Sequence, residues 1–443
     1  MRWPDLLTAQ RLLTVQRMPR GVLAGLLGAS AVFAGFVALF SGYQPHQLWG
    51  AWAACSYSLA AVVALVWKSR TAVDVALTVI ACGAILVPLV WMAWHGEAQP
   101  EVAVVVRSGS LLIHHGTPYE SPSVLANTTD PNAYNPYLPL MALFGIPQAV
   151  FGGHATAITD PRVWFGVVFL IVFAFALRIG GARDYLRWTV LMTASPIIAF
   201  ELDVGGTDVP MVAFMCLGFA FLWRPGRELA AGFALGVASA MKATCWPVLA
   251  VAVALLIVRD GKRATLRFCA MALAVMVVSI GPFVLTKPSG LVKNTISFPL
   301  GLAGVKSQAD SPLIGHAIAQ TSQTGHDIVV GLLIASGLAV AASLVFWPPR
   351  DVPAALWRLV IGLTLMFVLA PSTRFGYFIY PGTLVVWLEV CKAGRRPDAK
   401  PAPPPPVALA RRGLPASRRG RRILPATRRT SGRTRDGRPP AGR

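Results

Sequence analysis

Charge is what this 443-residue chain has least of. Only 13% of its residues are Asp, Glu, Lys or Arg, about half the share of an ordinary soluble domain, whereas 55% are hydrophobic and mean hydropathy is +0.59. That balance argues against a water-soluble globular protein. Cysteine is also sparse: Cys55, Cys82, Cys216, Cys245, Cys269 and Cys391 all fall in apolar stretches, so no disulfide framework is expected and they read as small packed hydrophobes. A Walker-type phosphate loop is missing, as is a G-x-G-x-x-G after a strand, which disfavours a nucleotide-sugar donor. His114 and His115 are adjacent, and neighbours on a helix point about 100° apart and do not share a face. With no third ligand at fitting spacing, neither a metal nor another cofactor is expected.

The formal charge of +21 invites a nucleic-acid reading, but most of it is a tail. Residues 392–443 hold 16 Lys or Arg against 2 Asp and contain no aromatic residue, so nothing there could stack on a base and no nucleic-acid partner is expected. Composition predicts that this Pro/Arg-rich stretch is disordered. Attraction to anionic lipid head groups is the functional expectation; a solvated extension is the plain alternative.

What is abundant is long apolar runs. A bilayer core needs roughly 20 apolar residues per helix, fewer where a helix is buried among others. Twelve segments qualify: 21–42, 49–67, 71–94, 163–180, 187–201, 209–223, 229–241, 246–258, 267–286, 328–347, 355–371 and 375–391. The expected fold is therefore all-α and polytopic, with a short N-terminal segment (1–20), a membrane domain (21–391) and the basic tail (392–443). The first crossing follows a basic segment and has no convincing cleavage site, so it reads as a retained anchor. Lys and Arg clusters at 2–20, 68–70, 178–187, 224–227, 259–267 and 350–358 share one side if both termini are cytoplasmic. Making 136–152 a crossing would break that pattern. Its Pro136, Pro139 and Pro147 also suit a broken interfacial helix, and it is expected to lie in the outer interface. Two long loops, 95–162 and 287–327, then face outward, and a reactive site is expected on that side of the plasma membrane.

Few residues there carry charge. Glu101 follows Pro100 at the start of a predicted juxtamembrane helix, where the helix dipole favours an ionised carboxylate; it reads as a general base or as a structural N-terminal acid. Arg374 lies at the outer end of the last hairpin, against the positive-inside bias. An ionised group at that depth is costly, so it is expected to hold a phosphate or to pair with an outer carboxylate. Lys242, at the tip of a short hairpin, invites the same two readings. Asp203 and Asp208 stand in the turn ELDVGGTD, Asp208 alternatively as a helix N-cap.

An acid after the third crossing, a juxtamembrane helix, the G-x-P-Y turn Gly116–Tyr119, the aromatic-proline stretch YNPYLPLMALFGIP and the arginine-headed crossing DPRVWFG together resemble the GT-C superfamily of polytopic glycosyltransferases. More narrowly, they resemble its actinobacterial branch of polyprenol-phosphate-mannose-dependent mannosyltransferases. The resemblance extends through ELDVGGTDVPMVAF, AAGFALGVASAMKAT and APSTRFGYFIYP, with glutamate at 101 where the superfamily usually has aspartate and with two additional leading crossings. It implies extracytoplasmic transfer of a sugar, mannose by that branch, from a polyprenyl-phosphate donor to a cell-envelope glycan, lipid or protein acceptor. Glu101 would be the base, and Arg374, Lys242, Asp208, Asp203, Arg107 and Tyr119 would bind substrate. A transporter or lipid flippase is the first rival, although ionisable residues cluster at helix ends and leave no polar path across. A non-catalytic membrane scaffold is the second.

Overall fold

The computed structural model describes residues 15, 18–69, 71–152, 156–305 and 308–395. All but the first four residues of the predicted disordered tail, and most of segment 1–20, lie outside the described residues. Within them the chain is helical, and the one extended pairing is a bridge between Asp310 and Thr373. The longer helices are α1 (Arg20–Phe40), α2 (Gln44–Val66), α3 (Ala72–His95), α4 (Pro100–His115), α5 (Pro161–Gly180), α6 (Tyr185–Thr193), α7 (Pro196–Val204), α8 (Val209–Leu222), α9 (Glu228–Ser239), α10 (Pro247–Arg259), α11 (Gly261–Thr286), α12 (Gln323–Phe346), α13 (Val352–Leu369) and α14 (Ile379–Arg395).

Each of the twelve predicted crossings coincides with one of these helices or, at 187–201, with a pair. Seven of them, α1, α2, α3, α5, α11, α12 and α13, are long and apolar enough to span a bilayer. The remainder are shorter, and they are buried to different degrees. Helix α8 is apolar all round, and twelve of its fourteen residues are buried; it packs between α5 and α9, and a helix of that pattern belongs inside a bundle. The pair α6–α7 is broken at Ser195–Pro196, because proline offers no N–H to the helical ladder. The carbonyl of Ala194 released there accepts the buried Tyr57 hydroxyl at 2.7 Å.

Segment 136–152 is broken, as its prolines predict. Its prolines divide it into a 3₁₀ turn, Pro139–Gly145, and a short helix, Ile146–Phe151, and both pack on α4. The crossing is closest at Gly109 and Gly145, where a side-chain carbon on either would collide with the other element's backbone.

Polar contacts gather at two ends of the bundle. At one, Arg20 donates to the Lys68 carbonyl at 2.6 Å, Arg187 pairs with Asp74 at 2.7 Å, and Arg395 donates to the Gly180 carbonyl at 2.6 Å. At the other, Tyr43 donates to the Ala98 carbonyl at 3.1 Å, the Gln99 amide to the Val204 carbonyl at 2.7 Å, and the buried Arg162 guanidinium to the carbonyls of Glu97 and Asp203 at 2.8 and 2.6 Å. The second end holds the candidate site.

Candidate active site

Five separate chain segments converge on one cavity of about 250 Å³. Glu101 enters from the first turn of α4. Its place is fixed by the Gln99–Val204 hydrogen bond, which ties the start of α4 to the end of α7. Arg374 enters from the turn between α13 and α14. There the Thr373 amide donates to the Ala309 carbonyl and the Ser311 amide to the Thr373 carbonyl, each at 2.9 Å, while the buried Thr373 hydroxyl donates to the Phe367 carbonyl at 2.8 Å. The tip of the 287–327 loop thus braces the arginine. Lys242 enters from the turn after α9, where Leu138 and Leu140 donate their amides to the carbonyls of Met241 and Ala240 at 2.8 and 3.3 Å. This zips the aromatic-proline segment onto the lysine turn and brings in Tyr137. Tyr134, stacked on Phe298 with ring centroids 4.6 Å apart, forms the opposite wall.

Opposite charges meet in two places. Arg374 Nη1 donates to Glu101 Oε1 in an ion pair, and the second oxygen of Glu101 is buried without a partner. Lys242 Nζ lies 2.7 Å from Asp208 Oδ1, which also accepts the Tyr380 hydroxyl at 2.7 Å. The ammonium stands 4.9 Å from the Tyr377 ring centroid and 5.7 Å from that of Tyr137, a cation–π cradle. Burial opposes the Lys242 charge, but the Asp208 carboxylate and the two phenols outweigh it and hold the ammonium above its ordinary range. At Arg374, likewise, burial works against the charge and Glu101 more than restores it. Burial, with Glu101 nearby, pushes the Tyr137 phenol well up, so it stays a hydroxyl at neutral pH.

The sequence-predicted residues therefore divide. Glu101, Arg374 and Lys242 line the cavity, and Asp208 stands directly behind Lys242. Asp203 does not join them; it is fully buried on α7 and neither carboxyl oxygen has a hydrogen-bond partner. Arg107 faces away, donating to the Asn132 carbonyl and lying 3.7 Å from Glu120. Tyr119 is buried and braces the cavity wall from behind, its hydroxyl donating to the Tyr137 carbonyl at 3.0 Å. Sequence reasoning passed over Tyr137, Tyr377 and Tyr380, although all three lie in quoted motifs, and over Glu201, the first residue of ELDVGGTD. Their signal was an aromatic or acidic residue next to a predicted outer turn.

A helical membrane bundle that opens at one end into a cavity with carboxylates, two cations and aromatic walls has the architecture of a membrane-embedded group-transfer enzyme. Residues 135–371 match the family model of glycosyltransferase family 87, GT87, more than half of the chain, and the chain belongs to that family of polytopic membrane glycosyltransferases of the GT-C type. Lys242 and Asp208 fall within the matched residues, and Glu101 and Arg374 lie outside them on either side. No curated protein and no solved structure matches the chain.

Proposed function

We propose that this glycosyltransferase moves a mannosyl group from a polyprenyl-phosphate donor to a cell-envelope glycan, lipid or protein acceptor, on the extracytoplasmic side of the plasma membrane. The observation that carries the reading is the Glu101–Arg374 pair at the wall of the cavity, a carboxylate already in contact with a guanidinium.

Glu101 takes the proton of the acceptor hydroxyl as that oxygen attacks the anomeric carbon. The bond from the anomeric carbon to phosphate breaks, and the phosphate, one negative charge as a diester, leaves as a monoester with two. Protonated Glu101 has lost the charge that held Arg374, at the moment the leaving phosphate has gained one. The guanidinium therefore changes partners without crossing a charge-deficient state, using the planar fork suited to phosphate. Only Nη1 is engaged by Glu101, which leaves the other guanidinium N–H groups for that fork. Lys242, fixed by Asp208, adds a second positive charge. Because the leaving group is a lipid phosphate, the spent carrier stays in the bilayer.

Both termini are cytoplasmic in this reading, and the basic tail attracts anionic head groups. The direct test is transfer from radiolabelled polyprenyl-phosphate mannose to fractionated envelope acceptors in membranes carrying the chain. Label appearing in an acceptor fraction is the expected result, and none appearing would overturn the donor assignment. Sidedness is read separately in a background without native cysteines. The exposed Ala126→Cys should react with an impermeant thiol reagent from outside, and Lys262→Cys only after the membrane is opened.

A further inference from the structure

Two carboxylates of the cavity site are held by cations, and a third stands close by without one. Glu101 is paired with Arg374, and Asp208 with Lys242 and Tyr380. Glu201, on the last turn of α7, is half-buried, and among the described residues no hydrogen bond or ion pair fixes its side chain. Room for it is nevertheless built into two other segments. A side-chain carbon on Gly206 would overlap one of its carboxylate oxygens, and a side-chain carbon on Gly376 would overlap the other. Gly376 follows Arg374 by two residues, so the carboxylate is set against the backbone that carries the guanidinium. Burial weighs first against its charge, and of the charged groups of the site the Asp208 and Glu101 carboxylates oppose it while Arg374 and Lys242 favour it. Glu201 itself does not line the cavity, so any role it has must be exerted through a neighbour.

We propose that Glu201 is a positioning residue for Arg374, a second carboxylate behind the guanidinium that keeps it at the cavity wall when Glu101 lets go. The assignment rests on the reading of Glu101 as the base and Arg374 as the phosphate fork. When Glu101 accepts the acceptor's proton it becomes neutral, and its hold on Arg374 weakens. Before the donor has bound, and again after the spent carrier has left, Arg374 would otherwise depend on Glu101 alone for a counter-charge. A stronger Glu101–Arg374 pair would both retain the fork and make Glu101 a poorer base. A carboxylate on the backbone side relieves that competition, because it shares the guanidinium's charge without entering the cavity. The two glycines leave the space that carboxylate fills, and a side chain at 206 or 376 would displace it.

The test uses the purified full-length chain in lipid nanodiscs, with polyprenyl-phosphate mannose as donor and one fixed envelope acceptor fraction. Glu201→Gln should raise the donor KM about tenfold with a smaller fall in kcat, and Glu201→Asp should recover part of the loss. Gly376→Ala, which crowds the same carboxylate from the other side, should reproduce the donor effect, and it serves as the test if Glu201→Gln does not fold. In an Arg374→Lys background, Glu201→Gln should add little, since residues acting through one another are not additive. An unchanged donor KM in a folded Glu201→Gln chain, or an effect that simply adds to that of Arg374→Lys, would overturn the assignment. Absence of transfer by the unaltered chain would overturn the donor reading itself, and this assignment with it.

Discussion

The two polar ends of the bundle use the same residue types for different ends. At the one that carries the predicted cytoplasmic loops, Arg187–Asp74 and Lys392–Glu389 pair at 2.7 and 2.8 Å with the carboxylate 49% and 42% exposed. Such pairs gain little against water, about 0–1 kcal/mol each, and here they tie neighbouring helix ends or neighbouring residues. At the cavity end the side chains of Lys242 and Asp208 are 13% and 6% exposed, and those of Arg374 and Glu101, at 28% and 17%, fall between that pair and the pairs of the other end. Burying charge is costly even when it is paired, and an apolar pair of similar size is often as stable. Charges kept where they stabilise little are kept for what they can do. The burial of Lys242 and Asp208 therefore supports the cavity end as the seat of the proposed chemistry, independently of any motif.

Glu101→Gln breaks the comparison most severely. It keeps the shape and removes the base, so transfer should fall about 10²–10⁴-fold while the chain still folds. Single-turnover transfer alongside abundance in membranes checks it. Full activity would pass the role of base to Asp208 or Asp203, of which only Asp208 is near the cavity.

Lys242→Met comes next. It strands the Asp208 carboxylate, buried and left with only the Tyr380 hydroxyl, and removing one partner of a buried pair costs about 3–5 kcal/mol. Thermal unfolding in detergent should show that loss, and the double variant Lys242→Met with Asp208→Asn should recover part of it. A variant as stable as the parent would mean that water reaches Asp208 freely and that the two ends are less different than the burial implies.

Arg374 sharpens the contrast at smaller amplitude. Replacement by Lys keeps a charge for Glu101 but loses the fork, so donor affinity should fall several-fold with stability near normal; Ala should weaken the donor further. Stability lost with donor affinity unchanged in both variants would make Arg374 a strut, and the phosphate site would then be sought around Lys242.

The helices were legible because apolar runs and the positive-inside bias are properties of neighbouring residues. Helices α8 to α10, too short to span alone, were still found, since their residues are almost wholly apolar. Glu101, Arg374 and Lys242 stood out as charges at predicted outer ends. Their pairing did not, because Glu101 and Arg374 are 273 residues apart and only the packing of α4 against the α7 end and the 370s turn brings them together. Along α7 the sequence misdirects. Glu201 and Asp203 are two residues apart and so face nearly opposite sides of a helix, and which one faces the arginine depends on how α7 is rotated in the bundle. In the bundle Arg162 grips the Asp203 carbonyl, the Asp203 side chain lies in the interior, and the Glu201 carboxylate lies against Gly376. No local pattern contains that information.

The smallest effect tests the quiet end. Arg187→Ala removes a pair to Asp74 in which the arginine side chain is 30% and the aspartate 49% exposed. The Asp74 carboxylate then returns to water and Asp184 loses a longer contact of 3.9 Å, so the expected loss is at most about 1 kcal/mol, declining further as salt screens the interaction. Transfer rate and donor KM should match those of the parent. Because Arg187 also belongs to the basic cluster at 178–187 that sets orientation, the cysteine accessibility at Ala126 and Lys262 is measured in the same variant. Unchanged labelling with unchanged activity would show that this end holds helices together and no more. A loss of transfer with correct labelling would mean that the two ends are coupled through α5 and α7, and the division drawn between them would have to be abandoned.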